Sequence, residues 1–350
     1  MFLLFSALLV TFSVSILTIK LLLPLAPHIG LVDLPNERKK HDGAVPLIGG
    51  ISIFTGVLIA SSLFVEQNQL LNLYLISSAL LVFIGTMDDI YDLNVAPRII
   101  FQGIVATVMV FGAGIYIHEF GDLFLIGHID IGHYGMLFTV LACIASINAF
   151  NMIDGIDGLA GTMSIISISS VAILTLLNSG YENVLLPLIL VVATLPYLFY
   201  NVSRRNPKAK KIFMGDAGSM FLGLTVAWLL VIGTQDTVSG SASFRPVTAL
   251  WLIALPLMDM FAIMIRRIRK GVSPFKADNG HLHHICMRIG LSSRQALLAI
   301  SSLAIIAVLV GVIGELLMIP EWIMLVLFLL SFVGYSFALQ HAWKFVRVLK

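Results

Sequence analysis

Four short polar motifs interrupt an otherwise apolar chain of 350 residues. They read GTMDDIYDLNVAPR at 85–98, NAFNMIDGIDGLAG at 148–161, FMGDAGS at 213–219 and DNGHLHH at 278–284. Their carboxylates would repel one another if they packed together, unless a divalent cation or a shared proton offset the charge. Hard oxygen ligands of this kind indicate Mg²⁺, which combines one or two carboxylates with waters and substrate phosphates. For any one aspartate a solvated helix cap is the alternative, but several together favour a metal-binding site.

Glycines surround the carboxylates of the second and third motifs. They would let the backbone approach a ligand closely and adopt unusual φ and ψ values. These glycines are Gly155, Gly158, Gly161, Gly215 and Gly218. Close packing between helices is the alternative, because small residues also line helix contacts in bilayers. Neither motif is a Walker A loop or a dinucleotide fingerprint, since the chain has no G-x-x-x-x-G-K-[ST] sequence and no Rossmann strand is available.

The fourth motif carries three histidines, His281, His283 and His284, shortly after Asp278. Their spacing does not place all three on one helical face, and no cysteine cluster completes a zinc site. Contact with phosphate or sugar is favoured, because His and Arg donors pair well with phosphate oxygens. A solvated loop without a specific role is the alternative. We interpret the basic run RRIRKG at 266–271 as a topology anchor that faces anionic lipid.

The elements that must position these motifs are membrane-spanning helices. Hydrophobic residues make up 59% of the chain and charged residues 11%, with a mean hydropathy of +1.00. These values are typical of an all-α polytopic integral membrane protein and not of an ordinary globular domain. The apolar segments are too long and too uniform for the alternating strands of a barrel. We therefore expect one bundle of helices that forms a single domain over residues 1–350.

Apolar runs of roughly 17 to 25 residues are long enough to cross the hydrocarbon. We place about eleven spans near residues 1–23, 46–65, 70–87, 99–117, 133–150, 162–178, 184–200, 213–233, 245–265, 296–316 and 321–341. The first run lacks a basic n-region and an A-x-A-like cleavage site, so we interpret it as a retained span and not as a signal peptide.

The distribution of Lys and Arg sets the predicted orientation of the spans. Basic residues fall in alternate loops, namely Arg38, Lys39, Lys40, Arg98, Arg204, Arg205, Lys208, Lys210, Lys211, Arg266, Arg267, Arg269, Lys270, Lys276, Arg288, Arg294, Lys344, Arg347 and Lys350. The intervening loops are acidic, with Arg245 the only basic residue near that side. By the positive-inside rule we expect the N-terminus outside and the C-terminus in the cytoplasm. All four motifs then share the cytoplasmic face, where costly ionisable groups at membrane depth would find partners.

The motifs MDDIYDL, NAFNMIDGIDGLAG, FMGDAGS and HLHH, in this order on one face of a many-span bundle, identify a family. They resemble those of the polyprenyl-phosphate N-acetylhexosamine phosphate transferases, the superfamily that includes MraY. The stretches GLVDLPNERKKH, PVTALWLIALPLMDM and MRIGLSSRQA extend the resemblance to its WecA branch over nearly the whole chain. Each motif alone is short and weak, whereas the ordered set of four is highly specific.

The resemblance implies transfer of GlcNAc phosphate from UDP-N-acetylglucosamine (UDP-GlcNAc) to undecaprenyl phosphate, giving undecaprenyl-diphosphate-GlcNAc and UMP. In bacteria this step starts the synthesis of enterobacterial common antigen and of many O-antigen lipopolysaccharides. The resemblance also implies Mg²⁺ or Mn²⁺ as cofactor, a cytoplasm-facing active-site cleft and a location in the bacterial inner membrane. The expected partners are the two substrates and the lipid bilayer, with no nucleic acid. The superfamily leaves a homodimer open.

By the same resemblance, Asp216 of FMGDAGS is the expected direct metal ligand, with Asn151 beside it. Asp154 and Asp157 would orient those ligands and the hydroxyl groups of the donor. The donor phosphates or uridine would be held by His281, His283, His284 and Arg267.

Asp88 and Asp89 are the catalytic candidates at the reacting end. Asp88 would act as a base for the lipid phosphate or as a nucleophile that forms a phospho-enzyme. A phosphate monoester has its second pKa at about 6, so much of the acceptor is already dianionic at neutral pH and attacks directly. We therefore favour a single displacement in which both aspartates position the acceptor. Superfamily members often carry a Lys where this chain reads NVAPR, so Arg98 is the candidate substitute.

Two other protein classes compete with a transferase. An ion-coupled transporter would use intramembrane carboxylates to bind protons or Na⁺. It needs access from both faces, however, and no internal repeat of the kind seen in many transporters is evident. An intramembrane metalloprotease is disfavoured because no H-E-x-x-H sequence is present. Within the transferase class, another UDP-sugar or a muramoyl-pentapeptide donor is the alternative, since motif spacing does not define donor choice.

Overall fold

The protein is mostly helical in the computed structural model, which describes residues 2–35, 43–202, 211–235, 242–274 and 280–349. Its helices, in chain order, are α1 Phe2–Leu25, α2 Gly49–Phe64, α3 Gln69–Tyr91, α4 Val95–Thr107, α5 Tyr134–Ile153, α6 Leu159–Ser179, α7 Leu185–Val202, α8 Gly215–Thr234, α9 Pro246–Leu252, α10 Ala254–Arg269, α11 Leu282–Arg288, α12 Ser293–Leu316 and α13 Glu321–Leu349.

Four shorter elements complete the described chain. A π-helical turn, Val108–Gly112, continues α4, and a 3₁₀ turn, Tyr181–Val184, precedes α7. Strands β1, Val32–Asp33, and β2, Val45–Pro46, pair antiparallel in the loop between α1 and α2.

The described residues include nine helices long and apolar enough to cross a membrane. The pair α9 and α10 meets the same standard as one bent segment, while α2 is apolar but shorter. Helices thus occupy all of the predicted apolar regions, and the prediction of an all-α polytopic membrane protein is confirmed. The exact number of spans and the orientation of the termini stay predictions. The basic residues at 38–40 and 204–210, with Lys276 and Lys350, lie outside the described residues.

The centre of the bundle is α8, which packs against α2, α3, α5 and α6. Inside the protein, 94% of its span is buried, against 22% for α1 and 17% for α13. Polar contacts supplement this packing, because the Tyr74 and Thr225 hydroxyls lie 2.8 Å apart and Ser146 Oγ donates to the Gly223 carbonyl at 2.8 Å. Helices α1 and α13 therefore form the apolar periphery, and α8 forms the core.

Glycines let neighbouring backbones approach the first turn of α8. A Cβ atom on Gly50 of α2 would overlap the backbone of Gly218, and one on Gly85 of α3 would overlap the backbone of Ala217. Just before α8, the Phe213 carbonyl accepts the Gly49 N–H at 2.9 Å, and the Phe213 N–H donates to the Pro46 carbonyl at 2.8 Å. The third motif is therefore held by the backbone of β2 and α2.

The α9 and α10 pair bends by 79° at Ile253. Pro256 has no N–H to donate to the Leu252 carbonyl four residues earlier. Ser167 Oγ, from α6, donates to that carbonyl at 2.8 Å instead. The bend thus leaves this backbone oxygen paired in an apolar setting, where an unpaired one would be costly.

The end of the bundle opposite the four motifs is closed by a buried ionic network. Arg245 Nε lies 3.1 Å from Glu315 Oε2, and Thr248 Oγ1 donates to the same oxygen. Arg245 also donates to the Ile319 carbonyl at 2.7 Å and to the Gly314 carbonyl at 3.0 Å. Arg245 therefore joins the start of α9 to the connection between α12 and α13.

Replacing Gly85 with alanine is expected to lower the free energy of unfolding by about 1–3 kcal/mol, because the new methyl group forces α3 away from α8. Thermal unfolding in detergent measures the change. Gly103→Ala is the matched control, since a Cβ atom there meets open space and alanine favours the helix. Equal unfolding temperatures for both variants would contradict the close packing of α3 on α8.

Candidate active site

Asp88 and Arg98 form an ion pair where α3 ends and α4 begins. The turn starts at Asp92, whose φ of 50° is left-handed and directs the chain toward α4. Asp88 Oδ1 accepts the Leu93 N–H at 2.8 Å, and Oδ2 accepts Arg98 Nη1 at 2.8 Å. The Asp88 side chain is buried, so its charge depends on these donors.

Arg98 also links Asp88 to the third motif. The same Nη1 atom lies 3.6 Å from Asp216 Oδ2. Asp216 Oδ1 accepts Asn151 Nδ2 at 2.6 Å, and that nitrogen lies 3.0 Å from Ser219 Oγ. One guanidinium and one amide therefore connect the first three motifs, which the sequence predicts to converge.

Asp89 caps the N-terminus of α8. Its Oδ1 accepts the Asp216 N–H at 2.8 Å, and its Oδ2 accepts the Ala217 N–H at 3.3 Å. The first N–H groups of a helix have no partner within it, and the helix dipole stabilises negative charge there. Gly215 begins α8 with a φ of 73°, and a side chain on Gly215 would overlap the Asp89 carboxylate. The structure gives Asp89 a helix-capping position, and its catalytic role stays a prediction.

Asp154 and Asp157 lie in the loop between α5 and α6. Burial, followed by the nearby charges of Asp216 and Asp157, raises the pKa of Asp154 to about 7. Asp157 Oδ2 accepts Lys211 Nζ at 2.8 Å, and that nitrogen lies 4.8 Å from the centre of the Phe213 ring. A cavity of about 100 Å³ opens beside Asp157, lined by Val202, Ser292, Ser293, Arg294 and Leu297.

The three histidines form a stack that reaches the second motif. His281 and His283 are parallel, with ring centres 5.6 Å apart, and the His283 and His284 centres are 4.2 Å apart. The His283 ring lies so close to Gly155 that a Cβ atom there would overlap it. Burial, followed by the neighbouring His284 and His281, lowers the pKa of His283 to about 3. His283 is therefore a neutral ring at physiological pH.

Arg267 has a hydrogen bond to the backbone that follows its own helix. It lies near the end of α10, is buried, and donates from Nη1 to the Pro274 carbonyl in the loop that follows. Its predicted contact with the donor stays a prediction. Asp278, which precedes the histidines in the fourth motif, lies outside the described residues.

The cluster of carboxylate side chains around Asp216 fits a magnesium ion that takes most of its ligands from substrate and water. Among the described residues, no group of three or more His, Cys, Asp or Glu side chains is placed to hold a metal ion by itself. Asp216 is the more open carboxylate, with its side chain 35% exposed against 2% for Asp88. Asn151 offers an amide oxygen to the same position once its side chain is rotated. Mg²⁺ prefers such an arrangement of one carboxylate and few protein ligands.

Three relatives with one name match this chain over most of its length. The undecaprenyl-phosphate alpha-N-acetylglucosaminyl 1-phosphate transferase of Pasteurella multocida (strain Pm70) is 44% identical over 341 residues, which cover 97% of this chain and 95% of that protein. Its counterpart from Yersinia pestis is 43% identical over 327 residues, covering 93% and 88%. The Escherichia coli (strain K12) protein is 40% identical over 326 residues, with the same coverage. This protein belongs to the same transferase family.

A family model for glycosyl transferase family 4 matches residues 71–234. In this transferase, that region runs from α3 to the end of α8 and contains the first three motifs. The histidine motif lies beyond it.

Two residues of this transferase were not singled out as site residues from the sequence. The sequence marks Lys211 only as a topology signal, yet it pairs with Asp157. The sequence motifs give no role to Asp259, within the apolar α10, yet its carboxylate accepts a hydrogen bond from His281 at 2.8 Å. An ionisable residue inside an apolar span is a functional candidate by default, and this signal would have found Asp259.

Replacing Asp89 with alanine is expected to destabilise the transferase by about 1 kcal/mol, because two N–H groups of α8 lose their acceptor. Asp89→Asn keeps one amide oxygen and is expected to cost less. Thermal unfolding in detergent compares the two variants with the native chain. If both variants unfold at the native temperature, Asp89 does not cap α8 and its carboxylate acts elsewhere.

Proposed function

We propose that this transferase moves GlcNAc phosphate from UDP-GlcNAc to undecaprenyl phosphate, releasing UMP and leaving undecaprenyl-diphosphate-GlcNAc. The observation that carries the proposal is the Arg98 bridge between Asp88 and Asp216, which gathers polar motifs at one end of an apolar bundle. Family membership supplies the reaction class. The matched relatives carry that transferase name, and the alignments cover most of their length.

The chemistry is a direct attack by the lipid phosphate on the phosphorus that bears the sugar. Phosphoryl transfer leaves a protein mainly positioning and electrostatic work. Both Asp88 oxygens already accept hydrogen bonds, from Leu93 and Arg98, so the carboxylate is engaged with these donors and not with the reacting groups. We therefore assign Asp88 the role of orienting the Arg98 guanidinium. That guanidinium attracts the acceptor phosphate and holds it beside Asp216.

Asp216 and Asn151 would hold Mg²⁺, or Mn²⁺ in its place. Bound there, the metal ion would offset the charge of the donor diphosphate and of the departing UMP. Ser219 Oγ contacts the Asn151 amide and, because a hydroxyl both donates and accepts, would still be a partner for the amide after it rotates. Asp154 and Asp157 follow Asn151 in the loop after α5 and would orient the sugar hydroxyls. Lys211 restrains Asp157 through their ion pair.

We place the site at the cytoplasmic face of the bacterial inner membrane, in a bundle of eleven spans with its N-terminus outside. The alternation of basic and acidic loops supports this orientation. The substrates support it as well, because UDP-GlcNAc is water-soluble and undecaprenyl phosphate is a membrane lipid. A site at the membrane edge is reached by both.

Purified protein in detergent, supplied with undecaprenyl phosphate and Mg²⁺, is expected to release UMP from UDP-GlcNAc and not from UDP-GalNAc or UDP-MurNAc-pentapeptide. EDTA is expected to abolish release. Asp216→Asn is expected to reduce it by at least about a hundredfold, because the metal loses its carboxylate. Asp130→Asn, in an exposed loop at the opposite end, is the matched control and is expected to keep native turnover.

The donor and metal conditions separate the outcomes. Turnover of a different donor would retain the mechanism and change the specificity. Turnover in EDTA would overturn the metal assignment. No UMP from any donor, with folded protein and active lipid, would overturn the transferase proposal itself.

Replacing Arg98 with lysine is expected to lower kcat/KM by about tenfold to a hundredfold, because an ammonium does not reproduce the guanidinium contacts to two carboxylates. Steady-state kinetics with varied undecaprenyl phosphate measures the loss. Arg245→Lys is the matched control, since Arg245 lies in the ionic network at the opposite end. Native kinetics for Arg98→Lys would show that Arg98 serves only folding.

A further inference from the structure

Asp259 is a buried carboxylate whose two oxygens are both committed. The residue is 2% exposed and lies in α10, just after the bend at Ile253. Oδ2 lies 2.8 Å from His281 Nδ1. Oδ1 accepts the Tyr335 hydroxyl at 2.7 Å and the Leu282 N–H at 3.2 Å. A buried charge in an apolar segment is costly, and three donors from two other segments offset that cost.

These contacts join α10, the start of α11 and the long α13 at one point. From there a chain of rings leads back to the candidate active site, since His281 stacks on His283 and His283 lies against Gly155 of the second motif. The position of the histidine motif relative to the loop between α5 and α6 therefore depends on Asp259.

We infer that Asp259 is a positioning residue, which holds His281 with its Nδ1 protonated and orients the histidine motif for the diphosphate of the nucleotide-sugar donor. This inference rests on the proposed function. Tyr335 completes the arrangement by fixing the second carboxylate oxygen from α13. Neither residue contacts the reacting atoms.

The tautomer follows from the partners of Asp259. An ionised carboxylate only accepts hydrogen bonds, so His281 Nδ1 carries the proton between them. The orientation of a histidine is commonly set in this way by a buried carboxylate, as in serine protease triads. His281 Nε2 is then the ring nitrogen left for another group. Loss of the carboxylate would change both the tautomer and the angle of the ring.

Asp259→Asn tests the inference because it keeps the size of the side chain. The Leu282 N–H always donates, so it holds the amide oxygen at the Oδ1 position and turns the NH₂ group toward His281. His281 Nδ1 must then become an acceptor. Nitrogen NMR of ¹⁵N-histidine-labelled protein, with the signals assigned through His281→Gln, is expected to show loss of the Nδ1 proton.

The kinetic effect of Asp259→Asn is expected on donor binding alone. The KM for UDP-GlcNAc should rise about tenfold or more, with kcat and the KM for undecaprenyl phosphate within about twofold of native values. Tyr335→Phe keeps the carboxylate, so it should keep the Nδ1 proton and raise the donor KM about threefold. This milder variant carries the test if Asp259→Asn does not accumulate as folded protein.

Glu315→Gln is the matched control, because it makes the same acid-to-amide change in a buried network at the opposite end of the bundle. It is expected to lower the unfolding temperature and leave both KM values unchanged. An unchanged donor KM in both Asp259→Asn and Tyr335→Phe, or a protonated Nδ1 in Asp259→Asn, would overturn the inference. The NMR measurement needs no turnover, so absence of UMP release from the native chain would defeat the proposed function separately.

Discussion

The seating of the α8 N-terminus is the constraint on which the rest of this structure depends. The helix is buried along nearly its whole length, so its first N–H groups need acceptors inside the bundle. Asp89 supplies them, while Gly50 and Gly85 let the neighbouring backbones close around the same turn. Asp216 stands in that turn. The same contacts therefore position both the N-terminus of α8 and Asp216, the proposed metal ligand.

Balance of charge is the second requirement. Carboxylates from three motifs meet at the edge of an apolar bundle, where each would repel the others. Arg98 offsets two of them and Lys211 offsets Asp157, while burial and then repulsion from Asp216 and Asp157 raise the pKa of Asp154. This cluster of carboxylates and basic side chains is suited to bind a cation together with the phosphates of a substrate.

The broad fold and the gathering of the motifs could be predicted, but several partners could not. Long apolar runs predict helices directly, and costly polar groups within them predict convergence. Asp88 and Asp89 look equivalent in the sequence, yet one pairs with Arg98 and the other caps α8. A helix cap is the alternative interpretation for any single aspartate, and only the packing of α3 on α8 distinguishes the two. Asp259 pairs with His281, 22 positions later in the chain, and no local sequence pattern predicts this contact.

The sequence by itself determined that the chain forms apolar helices and that four polar motifs stand at their ends. Hydropathy and charge act residue by residue, so they are read without coordinates. Only the tertiary structure decided which donor meets which carboxylate, because those contacts join residues far apart in the chain. Asp216 and Asn151 are 65 positions apart, and Tyr335 and Asp259 are 76 apart. Their pairing depends on how α5, α8, α10 and α13 pack, which in turn depends on glycine contacts and on the bend at Ile253.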